Sequence, residues 1–418
     1  MRETKYLVIG AGVSGLAFAN FVDSDDYLIL ERDSEVGGYC KTVKQDGFVW
    51  DYSGHFFHFR HKEIEDYLVS KMPQDEVKTI AKSSKIFYKG ELIEFPFQKN
   101  IHQLPKEEFI ECLYDLYFKE EVDNPESFQE MVYSRFGSGI AEKFLVPYNE
   151  KLYACGLDAL DANAMGRFFP YADLDGIIRN FRNPDNASYN ATFTYPRGGA
   201  IQYIKALESE VKEGNLCLNE GLLEIDLKNK IATTNKGQIK FEYIISSAPF
   251  NKLIEMANLP HEPLDFHSNK VMIFNLGFDK KGWENIHWVY FPQKEYCFYR
   301  CGFYDNIFDT DRMSLYIEIG YSSEAPENFD DMLKQTLEDL KKAGIVQDHQ
   351  LVSYHQIVLD PAYVHITQKS DKLVQDLKGV LSTRGIYSIG RYGGWTYCSI
   401  EDNILEAKAL ADTFNALP

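Results

Sequence analysis

Nowhere do the 418 residues offer eighteen consecutive apolar side chains, so no membrane-spanning helix is expected. Positive charge is scarce as well: 44 Lys and Arg against 63 Asp and Glu leave a formal net charge of −19. That balance argues against nucleic acid or an anionic membrane as partner, since each calls for a basic face. A small anionic ligand stays open, because surface charges beyond roughly 8 Å are screened at physiological salt. One arginine at about 4 Å from a phosphate contributes roughly 4 kcal/mol at an effective dielectric of 20, before desolvation. Cysteine is sparse, seven residues with no CxxC, and Cys40, Cys112, Cys155, Cys217, Cys297, Cys301 and Cys398 read as free thiols in a reducing compartment. The Cys297/Cys301 spacing has no second pair to complete a metal site, and no metal is expected. The first residues run straight into a strand without a secretory leader pattern, which makes the cytoplasm the expected location. Repeats and low-complexity tracts are lacking too.

Aromatic residues, in contrast, are plentiful at 14% of the chain. Either a well-packed core or a ring-stacking site would use them. KYLVIG (Lys5 to Gly10) reads as a buried parallel strand, followed by a glycine turn, a helix around Ser14 to Val22, and a second strand over Tyr27 to Asp33. Apolar residues recur every three or four positions from Glu107 to Asn180, predicting helices, and Asn215 to Phe250 returns to strands as a meander. A further strand-rich block, a helix near Phe329 to Ala343, and a last strand, glycine loop and helix complete the pattern. The fold class expected is α/β: a Rossmann-like FAD-binding domain with an inserted helical domain and a second mixed or antiparallel sheet domain. Nucleotide-binding signals stand at both ends of the chain, so the cofactor domain is expected to be discontinuous, over residues 1–90, 195–250 and 380–418. Residues 91–194 would form the helical substrate domain and 251–379 the sheet-rich one.

The chemistry is written first in GAGVSG, a GxGxxG between strand and helix. Gly10 makes the tight turn, Gly12 admits a pyrophosphate against bare backbone, and Gly15 lets helix pack on strand, with Ser14 beside them. Glu31, closing the second strand, stands where a carboxylate holds ribose hydroxyls, with Arg32 next to it. ERDSEVGG adds Gly37 and Gly38 as a second close-approach loop. The returning segment IYSIGRYGGW contributes Gly390 and Arg391, and the helix after it Asp402 and Asn403, at the cofactor's other end. A nicotinamide dinucleotide would not need that distant closing segment; an extended FAD would.

SGHFFHF (Ser53 to Phe59), FPFQKNI (Phe95 to Ile101), FLVPYNEKLYA (Phe144 to Ala154), NATFTYPRGG (Asn190 to Gly199) and GRYGGWTY (Gly390 to Tyr397) follow in that order. Together they resemble the UDP-galactopyranose mutases, in particular the eukaryotic-type branch, over nearly the whole chain. The GxGxxG, ERDSEVGG and YPRGG segments are shared with amine oxidases and protoporphyrinogen oxidases. The resemblance implies a mutase that interconverts pyranose and furanose forms of a nucleotide sugar, UDP-galactose foremost, for cell-surface glycans. It also implies FAD as cofactor, active when reduced, with its N5 as nucleophile toward the anomeric carbon and NADH or NADPH as candidate reductants. On that resemblance Arg167 and Arg300 are the diphosphate clamp, Tyr290 shares a mobile loop with Arg300, and Tyr363 and Tyr397 donate phenols to the same phosphates. Phe97, Gln98, Phe144, Tyr148 and Asn149 resemble the nucleobase pocket, and Asn190 and Tyr153 fall near the diphosphate and sugar. Gly54 and His55 belong to a loop that lies against the isoalloxazine.

Several positions depart from that pattern. Ser53 replaces a second glycine, Phe95 a Tyr, and Tyr153 a Trp, and LDANAMGRF is diverged around Arg167. These changes cluster near the sugar and its phosphates, so the hexose and the nucleotide stay open. A flavin oxidase of the amine or protoporphyrinogen type is the alternative, and a sugar-nucleotide binder without turnover a third reading. The oligomeric state is not written in the sequence.

Overall fold

A computed structural model describes residues 1–72, 76–185, 191–262, 265–322 and 328–417. Among them, two seven-stranded sheets carry the architecture. The first is built around β1 (Arg2–Ile9), which pairs in parallel with Gly237–Ser246 on one side and with β2 (Tyr27–Leu30) on the other. Ile386–Ser388 joins Gly237–Ser246 in parallel, so the last strand of the chain lands beside strands from its beginning and middle. The Leu222–Asp226 and Ile231–Thr234 strands extend that edge as the expected antiparallel meander. β1 ends in four buried residues, a pattern that only a strand covered on both faces can carry.

Helix α1 (Val13–Phe21) covers one face and packs along the last helix, Ile400–Asn415. Aromatic rings seal that layer: the Phe414 ring centroid lies 5.2 Å from that of Tyr6 and 5.9 Å from that of Phe18, edge to face in both cases. Edge-on rings of this kind contribute about 0.5–1.5 kcal/mol each beyond their buried area. The two ends of the chain are thereby locked into one layer.

The second sheet runs in the order Leu351–Leu359, Lys270–Phe278, Ser314–Tyr321, Arg300–Phe303, Trp288–Tyr290, Ser84–Tyr88 and Glu91–Glu94. All its pairs are antiparallel except Trp288–Tyr290 with Ser84–Tyr88. The expected boundary at residue 90 therefore falls inside a hairpin of this sheet. Helices Lys106–Tyr117, Phe128–Ile140 and Val146–Tyr153 form the helical block, the last two joined through a wide π turn at Ala141–Leu145. β2 stops at Leu30 rather than Asp33, because Glu31 bends its carboxylate back onto backbone N–H groups. All seven cysteines are free thiols, and no described helix is long and apolar enough to cross a membrane.

Candidate functional site

β1 gives way at Gly10, whose φ of +96° lies in the region that favours glycine. Gly12 and Gly38 face each other with bare backbone: a Cβ on Gly12 would stand 3.9 Å from the Gly38 Cα. Nothing but main chain would meet a phosphate entering there, and the N-terminus of α1 opens onto the same spot. Glu31 is buried, its Oε2 accepting from the Ala11 N–H at 2.8 Å and its Oε1 from the Asp33 N–H at 3.0 Å. Each oxygen keeps lone-pair capacity for a ribose hydroxyl. Asn403 ties the chain's ends together: its Oδ1 accepts from the Arg391 N–H at 2.7 Å and from Ser14 Oγ at 3.4 Å. Gly15 sits behind the turn, against the Gly10 carbonyl.

These groups line part of a cavity of about 980 Å³, near the top of the roughly 300–1,000 Å³ range of small-molecule sites. Arg32, Gly37, Gly54 and Gly390 also line this cavity. Bare glycine backbone, a helix N-terminus and a buried carboxylate at the strand end are a donor and acceptor set that fits a dinucleotide such as FAD. Replacing Glu31 with Ala is expected to weaken flavin retention by about 10–100-fold, since a hydrogen bond to a charged group contributes roughly 1.5–3 kcal/mol. The ratio of flavin to protein absorbance after gel filtration reads this, and full occupancy in the variant would remove Glu31 from the ribose role.

The rest of the cavity wall is aromatic and cationic. Tyr290, Arg300, Tyr363, Arg391 and Tyr397 all line it, with Phe144, Tyr148 and Asn149 beside them. The π turn brings Phe144 and Tyr148 onto one side, their rings stacked at 5.2 Å and 10°. Tyr363 and Tyr397 stack at 5.9 Å, and the Arg391 guanidinium sits over both, at 5.2 and 4.4 Å from the ring centroids. Burial opposes the charge on Arg391, but the surrounding phenols more than offset it; its Nε is buried without a hydrogen-bond partner. The Tyr290 hydroxyl accepts from Trp288 Nε1 at 2.8 Å, and burial pushes its pKa up to about 12.

Arg300 is held by Glu318 in a two-pronged pair, Nε to Oε2 at 2.7 Å and Nη2 to Oε1 at 2.6 Å. Burial drives the Glu318 pKa upward, yet Arg300, by charge and hydrogen bond, pulls it below the ordinary carboxylate value. Ser53, at φ +82°, donates its hydroxyl to Glu318, and Tyr304 donates to the Ser53 carbonyl at 3.1 Å. The residue that departs from the resembled pattern thus fastens the His55 loop to the Arg300 pair. His55 lines the cavity with its Nδ1 buried and unpartnered, and burial lowers its pKa to about 4, so the ring is neutral at pH 7. His58 also lines the cavity but is bonded to the Thr192 carbonyl at 2.8 Å, and His61 pairs with Glu401 at 3.2 Å. Among the described residues no cluster of His, Cys, Asp or Glu is placed to hold a metal.

Other expected site residues stand off the wall. Arg167 binds Asp402 at 2.5 and 2.7 Å and stacks on Phe168, because Asp402, in the first turn of the last helix, offers it a fixed carboxylate. That pairing also commits Asp402, which does not line the cavity. The cation that accompanies Arg300 on the wall is Arg391. Phe97 is fully buried behind Phe144, stacked at 5.2 Å, and the Gln98 amide donates to the Pro170 carbonyl instead of facing the cavity. Tyr153 packs edge-on behind Tyr363 at 5.7 Å. Asn190 lies outside the described residues. Glu318 is the functional residue that sequence reasoning missed; its signal was a lone carboxylate inside the apolar strand SLYIEIGY.

The fold is similar to that of a reduced UDP-galactopyranose mutase, with a TM-score of 0.90 at 24% identity over 99% of this chain and 94% of the other. A protein described as a protoporphyrinogen oxidase from Exiguobacterium gives 0.78 at 18% identity, covering 99% and 98% of the two chains. Cyclohexylamine oxidase from Brevibacterium oxydans gives 0.70 at 13% identity, again over 99% and 98%. A corticosteroid-binding protein from Candida albicans is 24% identical over 280 residues, 59% of this chain and 52% of that protein, so the chain spans about half the length of this relative. The sequence profile of the flavin containing amine oxidoreductases matches residues 13–371, the greater part of the chain, with the whole second sheet and most strands of the first. With the glycine cradle and ribose carboxylate in place, that match makes the chain a member of the flavin containing amine oxidoreductase family.

Proposed function

We propose that this protein is an FAD-dependent mutase interconverting the pyranose and furanose forms of a nucleotide sugar, with UDP-galactopyranose and UDP-galactofuranose the first pair to test. One observation carries the reading: Arg300 and Arg391, with the phenols of Tyr290, Tyr363 and Tyr397, line the same cavity as a dinucleotide cradle. Guanidinium forks suit paired phosphate oxygens, and phenols add donors without adding charge. The full-length likeness in fold to a UDP-galactopyranose mutase supports the same reading. Reduced FAD would supply an electron-rich nitrogen nucleophile for the anomeric carbon, with NADH or NADPH as its source of electrons.

The chain's own residues would do the rest. Arg300 and Arg391 hold the diphosphate while the bond from anomeric carbon to phosphate oxygen breaks, and keep the departing nucleotide in place. Its return is then effectively unimolecular, an advantage of up to about 7–11 kcal/mol over capture from solution. Phe144 and Tyr148 offer a flat stack for the base. His55, neutral at pH 7, adds no charge beside the flavin.

Anaerobic, dithionite-reduced protein given UDP-galactofuranose should yield UDP-galactopyranose by chromatography, and the oxidised protein should not. If no UDP-, TDP- or GDP-sugar isomerises, the mutase reading fails. The family match favours one rival, an amine oxidase, for which a buried carboxylate among phenols would attract a cationic substrate. Glu318 is already committed to Arg300, which weighs against it. Substrate-dependent peroxide from oxygen would decide for the oxidase; UDP binding without turnover would indicate a binding protein.

A further inference from the structure

Lys151 has no part in the chemistry above, yet its surroundings are unusual. Its Nζ donates to four backbone carbonyls, those of Phe291 at 2.8 Å, Gln293 at 2.9 Å, Tyr296 at 2.9 Å and Phe298 at 2.6 Å. An ammonium has three N–H donors, so four converging acceptors share them in bifurcated bonds. No carboxylate lies within ion-pair reach of it among the described residues. The groups that touch the charge are therefore carbonyl dipoles, with Asp339 acting at longer range, which suits a compact cation better than a generic polar side chain.

The four carbonyls all belong to one loop, 291–298, and the residues at its two ends are Tyr290 and Arg300, separated from it by a single residue at most. The neck of the loop closes through the Phe291 N–H to the Tyr299 carbonyl at 2.9 Å. Lys151 itself is in the helix Val146–Tyr153, the helix that presents Tyr148 and Asn149 to the cavity. That helix rests on the strand of Glu318, where only a glycine fits: a Cβ at Gly320 would collide with the Lys151 carbonyl. Lys151 thus links the helix that faces the cavity to the loop through its side chain and to the Glu318 strand through its carbonyl.

We propose that Lys151 is a positioning residue: its ammonium fastens the 291–298 loop to the helix that carries Tyr148 and Asn149, and so sets where Tyr290 and Arg300 stand in the cavity. The proposal rests on the reading of those two residues as diphosphate ligands. Burial pushes the Lys151 pKa down to about 7, opposing the charge that the four carbonyls favour, so the proposal stands on their geometry.

The test uses flavin-loaded protein with Lys151→Met, read in two ways. Hydrogen exchange followed by mass spectrometry should show amides of 291–303 exchanging at least tenfold faster than in the wild type, with the first sheet unchanged. Fluorescence titration with UDP should show affinity at least tenfold weaker, while flavin content and absorbance stay at wild-type values, a split that general destabilisation would not produce. Wild-type exchange in the loop, or wild-type UDP affinity despite a loosened loop, overturns the proposal. Should Lys151→Met fail to retain flavin, Lys151→Gln, which keeps a polar stem with N–H donors, is read against the same criteria. If the wild type itself ignores UDP, TDP and GDP alike, the mutase reading falls, and the exchange measurement alone decides whether Lys151 clamps the loop.

Discussion

Arg300→Ala is expected to reduce turnover by roughly 30- to 4,000-fold, the equivalent of the 2–5 kcal/mol lost when one partner of a desolvated charge pair is removed. Flavin should remain bound, because Arg300 is bonded to Glu318 and to none of the cradle groups. A second consequence follows from Glu318, which is 1% exposed and would lose its cation. An uncompensated buried charge costs about 3–5 kcal/mol of stability, measurable by urea unfolding of the flavin-loaded protein. The pH dependence should change sign. In the wild type the folded-state pKa of Glu318 is depressed, so the pair's contribution is present above its ordinary value of 4.5 and fades as pH falls through the lowered one. Without Arg300, burial dominates and raises that pKa, so the variant should lose stability as pH rises above 4.5. The double change Arg300→Ala with Glu318→Ala should recover part of the loss. Wild-type kinetics in Arg300→Ala would remove this residue from the substrate's phosphates, and parallel pH profiles would deny the pair its role.

Gly15→Ala should yield protein that holds no flavin. A Cβ at Gly15 would overlap the Gly10 carbonyl oxygen, a backbone atom that cannot swing aside, and would also stand 3.1 Å from a Val8 methyl. Either α1 lifts from β1 or the Gly10 turn opens, and both spoil the cradle between Gly12 and Gly38. Overpacking of this kind costs about 1–3 kcal/mol, so the protein should still fold, and colourless folded material by circular dichroism is the expected result. Gly12→Ala is the comparison: its Cβ would meet nothing nearer than 3.9 Å in the protein, so its damage should appear in flavin affinity and not in stability. Equal flavin content in Gly15→Ala and wild type would mean that the turn is not the cofactor's support.

How much of this was legible beforehand depends on the range of the forces involved. The βαβ start, the meander, the helices near 106–153 and the last helix are all patterned locally, by apolar period and by glycine, and they appear within a few residues of where the sequence puts them. The GxGxxG, the ERDSEVGG loop and Glu31 were readable for the same reason, since each acts within about thirty residues of chain. The rest of the cavity wall was less so. Arg167 and Arg391 are both arginines next to aromatic residues, and nothing local distinguishes the one that Asp402 captures from the one left with an unpartnered Nε. Phe97 and Phe144 likewise share a stack, and only the packing of the helical block decides which ring faces the cavity.

By itself, then, the sequence determined the α/β class and the dinucleotide cradle, because these are encoded in short-range periodicity and in positions that tolerate no side chain. Tertiary structure alone decided which distant side chains meet: the pairing of Arg300 with Glu318, the pairing of Arg167 with Asp402, and the carbonyl ring around Lys151. Charge pairing and desolvation act between residues that may be hundreds of positions apart, and their outcome exists only once the sheets and helices have closed around the cavity.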